Sequence, residues 1–228
     1  MCGVDGAGGA GGVVAAASDA VASTEAQRAR VARIVESANR MLSAGGEGAL
    51  QMKDLAARAG VSLATLYRYF PSKDLLLVAL GRSRYEAAVA QVAAETPAAS
   101  GTPGERAASL LLREFRVALR EPSVAAALTR VGIEGASELR EPLAAIQDLH
   151  EQMVLIAAQS GGAVLSGDAR RLIPLLIATF GAGSRAWLAG TKTSDEVRLD
   201  IAVACRLLDL PEEHIAAVVS AGRGLAGG

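Results

Sequence analysis

Residues 52–73, MKDLAARAGVSLATLYRYFPSK, decide the fold. The first eight form a short helical segment, and Gly60 after them suits the left-handed conformation that caps a helix. Ser62 can cap a second helix over residues 63–70, which Pro71 ends. Two short helices joined by a glycine-containing turn make a helix-turn-helix, whose second helix can enter the major groove of a DNA duplex.

The two sides of this motif differ in chemistry. Its buried side is predicted to consist of Leu55, Ala56, Ala59, Val61, Leu66 and Phe70. Its exposed side is predicted to carry Leu63, Ala64, Thr65, Tyr67, Arg68 and Tyr69. Hydroxyls, a ring and a guanidinium on one turn are what phosphate and base-edge contacts require. Lys73 begins the next helix, where its ammonium and the free N–H groups of the helix start can both engage phosphate.

The charge of the chain is unevenly distributed. Residues 24–86 contain ten Lys/Arg and six Asp/Glu, a net charge of +4. The remaining residues contain thirteen and eighteen, a net charge of −5, so the formal total is −1. The basic surplus therefore lies at the end of the chain that carries the helix-turn-helix, where a DNA-binding unit needs it.

The same stretch resembles the signature of TetR-type repressors. The matching elements, in order and in register, are Leu55-Ala56, Gly60-Val61-Ser62, Thr65-Leu66-Tyr67, Tyr69-Phe70 and Ser72-Lys73. The resemblance implies that phosphates are held by Thr65, Tyr69 and Lys73. It also implies that bases are faced by Lys53, Leu63, Ala64 and Tyr67. The predicted DNA-binding set is completed by Ser62 and Arg68.

Sequence selectivity has to come from a few of these residues. Leu63 and Ala64 can contact thymine methyl groups but cannot read bases by hydrogen bonding, so selectivity must depend on Lys53, Tyr67, Arg68 and DNA shape. Other interpretations stay open, because Tyr67 and Tyr69 could be packing aromatics and Arg68 a solvated charge. The arginines of the preceding helix could form a solvated face or supply one phosphate contact; they are Arg28, Arg30 and Arg33.

The rest of the chain shows helical periodicity interrupted by breakers. A first helix is predicted from Thr24, its N-cap, to Gly45, and a long fourth helix, capped by Ser72, from Lys73 to Pro97. Further helical segments are expected near residues 103–121, 123–132, 137–160, 167–189, 195–210 and 211–221. Pro174 should bend the segment that contains it.

These segments predict an all-α protein with two functional parts. Residues 1–23 are interpreted as a disordered N-terminal arm, because they are mostly small and have little to bury. Residues 24–72 would form a three-helix DNA-binding head that contains the helix-turn-helix. Residues 73–228 would form a helical domain for ligand binding and dimerisation.

A homodimer is expected because one recognition helix binds DNA weakly, and paired heads contact half-sites about 34–36 Å apart. Two apolar stripes near the C terminus are predicted to form a four-helix interface between two copies. The first stripe comprises Leu172, Leu175, Leu176, Thr179, Gly183 and Trp187. The second comprises Val197, Ile201, Cys205 and Leu208. The alternative is that these stripes close the core of a single subunit.

An apolar effector chamber is predicted among the middle helices. Its candidate lining residues are Phe115, Leu119, Leu128, Met153, Ile156, Ile177, Phe180 and Trp187. Each of them could also be an ordinary core residue. Because no cluster of acids, His or Arg is visible in the sequence, we expect a hydrophobic small molecule as the effector.

Shorter matches resemble a subgroup, the KstR-type regulators of sterol catabolism in actinobacteria. The matching segments are Tyr67-Arg-Tyr-Phe-Pro-Ser-Lys73, Leu76-Leu77, Ala79-Leu80-Gly81-Arg82, Leu128-Thr-Arg130, Ala186-Trp-Leu188, Asp200-Ile-Ala-Val203 and Arg206-Leu-Leu208. This resemblance implies a steroid or an acyl-CoA thioester as the inducer.

Other function classes find little support in the sequence. No Gly-rich phosphate loop, nucleophile elbow or pair of histidines with a carboxylate is present, so we do not expect an enzyme. The two cysteines, Cys2 and Cys205, lack a metal-ligand spacing. The two histidines, His150 and His214, are interpreted as packing or surface residues. We therefore expect neither a metal nor a cofactor. No apolar run reaches the roughly 18 residues of a membrane span, which predicts a cytoplasmic protein without membrane contact. The remaining alternative is a helical protein-interaction or structural protein without operator binding.

Overall fold

The computed structural model describes residues 25–95 and 100–226, and every regular element in these ranges is helical. The all-α prediction is therefore confirmed. The α-helices of the described ranges are α1 (Glu25–Ala49), α2 (Met52–Ala59), α3 (Leu63–Tyr69), α4 (Lys73–Glu95), α5 (Pro103–Arg120), α6 (Pro122–Glu134), α7 (Arg140–Gln159), α8 (Gly167–Arg170), α9 (Leu172–Leu188), α10 (Ser194–Cys205) and α11 (Glu212–Ala226). Short 3-10 segments cover Ser137–Leu139, Ser160–Gly162 and Arg206–Asp209. None of the described helices combines the length and the apolar character that crossing a membrane requires.

The described residues pack as two compact units. The head unit consists of residues 25–81 and 127–145, and the body unit of residues 82–126 and 146–226. The predicted functional division at residues 72 and 73 stays a prediction. The predicted N-terminal arm, the Thr24 cap and Pro97 lie outside the described residues.

Local signals in the head unit set the helix boundaries, although α1 extends to Ala49, past its predicted end at Gly45. The backbone of α1 leaves the helical conformation at Gly46, where φ is 68°. Gly60 caps α2 in the left-handed region at φ 66° and ψ 40°, a conformation that costs glycine little because it lacks a Cβ atom. The Ser62 and Ser72 side chains accept hydrogen bonds from the backbone N–H groups of Thr65 and Leu75, so both predicted N-caps are confirmed.

The body unit is built around a continuous apolar core. Helices α5, α9 and α10 contribute its centre, which includes Phe115, Leu176 and Val197. The capping box of Thr102 and Glu105 fixes the start of α5, because each side chain accepts a hydrogen bond from the backbone N–H of the other.

The segment around Pro174 differs from the single bent helix that the sequence predicts. Helix α8 ends at Arg170 and α9 begins at Leu172, so the interruption lies before the proline. Pro174 is the third residue of α9. In the first turn of a helix no residue needs its N–H for an intrahelical hydrogen bond, and the missing donor costs nothing there.

Candidate functional site

Helix α3 is held in place at its start and along its inner side. Ser62 Oγ accepts a hydrogen bond from the Thr65 backbone N–H at 3.0 Å, and its own hydroxyl lies 2.8 Å from Thr65 Oγ1 as donor. Leu66 is fully buried and Phe70 is 5% exposed. The inner side chains therefore fix the rotation of α3, and the opposite side of the helix is left for contacts.

The nine residues predicted to bind DNA all keep part of their surface in solvent. Those classed as exposed are Lys53, Ser62, Leu63, Ala64, Tyr67 and Arg68. Those classed as half-buried are Thr65, Tyr69 and Lys73. Tyr67 retains 45% of its accessible surface, so it is not a packing aromatic of the head unit.

Tyr69 is oriented by two arginines. Arg30 Nη1 on α1 donates to the Tyr69 hydroxyl oxygen at 3.2 Å. The Arg68 guanidinium carbon lies 5.7 Å from the centroid of the Tyr69 ring, within the range of a cation–π interaction. Because the hydroxyl accepts from Arg30, its own hydrogen remains available to a phosphate oxygen. The sequence left Arg30 open as either a solvated charge or a phosphate contact, and it gave no sign of the hydrogen bond to Tyr69.

Lys73 belongs to an ion cluster in the head unit, formed with Glu47, Asp74 and Arg130. Lys73 Nζ donates to the Glu47 carbonyl oxygen at 2.6 Å and lies 3.8 Å from Glu47 Oε1. Arg130 of α6 makes a bidentate contact with the Glu47 carboxylate. Its Nε donates to Oε2 at 2.9 Å and its Nη2 donates to Oε1 at 2.8 Å. Arg130 Nη2 also donates to Asp74 Oδ1 at 2.6 Å. The hydrogen bond to the Glu47 carbonyl thereby fixes the Lys73 side chain near the start of α4.

The electrostatics of this ion cluster favour the charged form of Arg130. The hydrogen bonds that Arg130 donates, to Glu47 first and then to Asp74, raise the pKa of Arg130 above its usual value. Sequence reasoning missed the cluster because Arg130 is 83 residues from Glu47 along the chain. The only sequence signal was the match of the short segment around Arg130 to a known group of regulators.

Comparisons with known proteins agree with this geometry. A model of the bacterial regulatory proteins of the tetR family matches residues 34–80. The chain is 34% identical over 206 residues to the HTH-type transcriptional repressor KstR of Mycolicibacterium smegmatis, covering 88% of this chain and 97% of that protein. The chain belongs to the TetR family. Both resemblances drawn from the sequence, to TetR-type and to KstR-type regulators, are confirmed.

Solved structures of the TetR family share the fold. A TetR transcriptional regulator from Rhodococcus sp. RHA1 is 27% identical with a TM-score of 0.71, over 81% of this chain and 97% of that chain. Thermus thermophilus FadR, solved in complex with lauroyl-CoA, is 20% identical with a TM-score of 0.60, over 78% of this chain and 92% of that chain. As a TetR-family member the protein is a DNA-binding transcription regulator and not an enzyme.

Seven of the eight residues predicted to line an effector chamber lie together in the body unit. The buried ones are Phe115, Met153 and Phe180. The half-buried ones packed against the same core are Leu119, Ile156, Ile177 and Trp187. The Phe115 and Trp187 rings meet edge to face with centroids 5.6 Å apart. Leu128 belongs to the head unit, so it is not part of this group.

The two stripes predicted to join subunits mostly face the core of the body unit. Their buried members are Leu172, Leu176, Gly183, Val197, Ile201, Cys205 and Leu208. Thr179 and Trp187 are half-buried, and Leu175 is exposed, with 56% of its surface in solvent. The alternative interpretation therefore describes these stripes better, since periodicity identifies a helix face but not what covers it. Other apolar side chains of α10 are exposed instead, namely Leu199 and Val203.

Proposed function

We propose that the protein is a transcriptional repressor that binds operator DNA as a homodimer and releases it when a hydrophobic small molecule binds the body unit. The observation that carries the proposal is the rigid seating of α3. Its inner residue Leu66 is fully buried, while Tyr67 on the outer side is half in solvent. The name of the Mycolicibacterium relative, a repressor, supports the direction of regulation. Binding to the genome would place the protein in the bacterial cytoplasm.

Base contacts are assigned to the exposed face at the start of α3 and to one residue of α2. Leu63, Ala64 and Tyr67 are exposed there, and so is Lys53. The apolar Leu63 and Ala64 can pack against thymine methyl groups, and the Tyr67 hydroxyl and the Lys53 ammonium can hydrogen-bond to base edges. We therefore expect an operator in which thymines face the start of α3.

Phosphate contacts are assigned to the flanks of α3 and the start of α4. The Thr65 hydroxyl accepts from Ser62, so its hydrogen is available to a phosphate oxygen. Tyr69 is held by Arg30 in the same way. Lys73 Nζ uses one of its three hydrogens on the Glu47 carbonyl, which leaves two donors for phosphate. Ser62 and Arg68 are exposed beside these groups.

The homodimer is assigned to the exposed apolar face of α9 and α10. Leu175, Leu199 and Val203 are 56%, 63% and 61% exposed in a single chain. Leu199 and Val203 are four residues apart and so lie on the same face of α10. Burying such side chains between two copies would remove apolar area from water and would also pair the two α3 helices for adjacent half-sites.

The effector is assigned to the apolar core of the body unit around Phe115, Phe180 and Trp187. Its class follows from the KstR-type resemblance, which implies a steroid or an acyl-CoA thioester. Thermus thermophilus FadR, which was solved with lauroyl-CoA, supports this class because it has the same fold. At 20% sequence identity the similarity concerns the fold alone.

The experiment that tests the proposal measures DNA binding as a function of salt. A fluorescent duplex of the DNA directly upstream of the coding region is titrated with the wild-type protein, with Lys73→Ala and with Arg40→Ala. Losing one phosphate contact should weaken binding at all sequences and lower the salt slope by about 0.9 in Lys73→Ala. Arg40, whose side chain is 68% exposed and pairs with Glu36, is the matched control and should leave the slope unchanged.

Two outcomes would contradict the proposal. A Lys73→Ala protein with wild-type affinity and slope would remove Lys73 from the interface. A wild-type protein that ignores every tested genomic duplex at low ionic strength would instead favour the alternative of a helical interaction protein.

A further inference from the structure

Three polar side chains from three different helices meet inside the body unit. Tyr85 of α4, Glu114 of α5 and His150 of α7 form what we call the polar triad. The Tyr85 hydroxyl donates to Glu114 Oε1 at 2.6 Å, and His150 Nδ1 lies 3.4 Å from the same hydroxyl. His150 Nε2 lies 3.0 Å from Glu114 Oε2. These residues are 29 to 65 positions apart along the chain, so the sequence alone gives no sign of the triad.

The surroundings of the polar triad are apolar and aromatic. The His150 ring lies 4.8 Å from the Tyr85 ring and meets the Phe180 ring edge to face at 5.6 Å. Phe115, the neighbour of Glu114 in sequence, is fully buried in the same core. Polar atoms in such a place cost free energy unless each has a hydrogen-bonding partner.

Two atoms of the polar triad lack such a partner. Although His150 Nε2 and Glu114 Oε2 are close, their alignment is not that of a hydrogen bond, and within the described residues neither atom makes one. The His150 side chain is 7% exposed, so more than nine-tenths of it is buried. One buried carboxylate oxygen and one buried ring nitrogen therefore stand side by side, and neither has its hydrogen-bonding capacity satisfied within the described residues.

The other carboxylate oxygen of Glu114, Oε1, already accepts the Tyr85 hydrogen. Desolvation first, and then the negative charge of Glu114, raise the pKa of Tyr85 well above its usual value. Tyr85 therefore stays protonated and keeps its hydrogen on Glu114 Oε1. Oε2 is the oxygen of Glu114 that still lacks a donor within the described residues, so a ligand that satisfies it must supply a hydrogen.

We propose that Glu114 Oε2 and His150 Nε2 bind the hydroxyl group of an otherwise apolar effector. The inference rests on the proposed function, in which the body unit holds a hydrophobic small molecule. With the imidazole hydrogen on Nε2, a hydroxyl donates its own hydrogen to the carboxylate and accepts from the ring N–H, so it satisfies both atoms at once. A ketone satisfies only the imidazole, and a carboxylate or phosphate would meet the negative charge of Glu114. The triad therefore selects alcohols over ketones and acids.

The single tryptophan of the chain provides a direct readout. Trp187 contacts Phe115 in the same core, and its fluorescence should change when a ligand enters. The probes are 5α-androstan-3β-ol, 5α-androstan-3-one and 5α-androstane, which share one skeleton, together with 1-dodecanol and dodecane. We expect each alcohol to bind about tenfold more tightly than its matched compounds without a hydroxyl, as one or two good hydrogen bonds provide.

Variants separate recognition from folding. Glu114→Met removes the acceptor and His150→Leu removes the ring nitrogen, each with a side chain of similar size. Both should reduce the preference for alcohols to within about twofold of the hydrocarbons, and circular dichroism checks that each protein is folded. His214→Leu changes the exposed histidine of α11 and should retain the full preference. If one variant fails to fold, the other variant and the wild-type probe series still decide.

The outcomes distinguish this inference from the proposed function. Equal binding of alcohol and hydrocarbon by the wild type, or no binding of either alcohol, overturns the hydroxyl site. Release of operator DNA by a probe without a hydroxyl would leave the repressor function standing at the same time. Conversely, a protein that prefers alcohols but binds no DNA keeps the triad assignment and loses the operator.

Discussion

The head unit and the body unit differ in how the residues assigned to recognition relate to the residues of the core. In the head unit the residues that pack and those assigned to DNA alternate on one short helix, as Leu66 and Tyr67 do. In the body unit the residues assigned to the effector, such as Phe115 and Phe180, are themselves the core. The head can therefore change its contacts without changing its packing, whereas the body cannot.

The largest effect that tests this contrast is expected at Phe115. The side chain is fully buried, so Phe115→Ala should lower the free energy of unfolding by about 3–5 kcal/mol. Tyr67→Ala should change it by no more than about 0.5 kcal/mol, because Tyr67 is half in solvent. Urea titration followed by circular dichroism measures both values. Similar losses in the two variants would break the contrast between the units.

An intermediate effect is expected from the same substitution in both units. A Cβ atom at Gly183 would lie 2.9 Å from Val197 Cγ1, so Gly183→Ala forces α9 and α10 apart and should cost about 1–3 kcal/mol of unfolding free energy. A Cβ atom at Gly60 meets nothing within 4 Å, but the φ of 66° is left-handed. Gly60→Ala should therefore cost about 1 kcal/mol through backbone strain alone.

Substitution by asparagine distinguishes steric crowding, the cause at Gly183, from backbone strain, the cause at Gly60. Asn tolerates the left-handed conformation better than other residues with a side chain, so Gly60→Asn should recover most of the loss measured for Gly60→Ala. Gly183→Asn, which is larger than Ala, should be worse than Gly183→Ala. The same urea titrations apply, and a recovery at Gly183 would contradict the packing argument.

The contrast also explains which features the sequence could predict. The Gly60 turn and the Ser62 and Ser72 caps depend on hydrogen bonds that span three to five residues, and each could be located in the sequence. The contacts of Arg30 with Tyr69 span 39 residues, and those of Arg130 with Glu47 span 83, so neither leaves a local pattern.

The stripes of α9 and α10 illustrate a second limit. The helical period grouped Val197, Ile201 and Cys205 correctly on one face, and all three are buried. It could not tell whether that face meets the core of the same chain or a second copy, because both surroundings select the same apolar residues. Only the structure showed that Leu199 and Val203 occupy the open face.

The smallest effect is expected at Arg130. It tests whether the head unit uses one residue, Lys73, to contact phosphate and another, Arg130, to position it. About a third of the Arg130 side chain is exposed, so its ion pairs with Glu47 and Asp74 should contribute no more than about 1 kcal/mol to the free energy of unfolding. Without Arg130, the Glu47 carboxylate is free to draw Lys73 away from phosphate. Arg130→Gln should therefore weaken operator binding by about two- to fivefold.

The salt dependence separates this effect from the loss of a phosphate contact. Arg130 is assigned no phosphate, so in Arg130→Gln the logarithm of the binding constant should shift while its slope against the logarithm of salt stays unchanged. Lys73→Ala should lower that slope, and Arg40→Gln, which removes the same charge from an exposed site, should change neither quantity. If the slope in Arg130→Gln falls as it does in Lys73→Ala, Arg130 itself contacts DNA, and the positioning role derived from the Glu47 cluster is wrong.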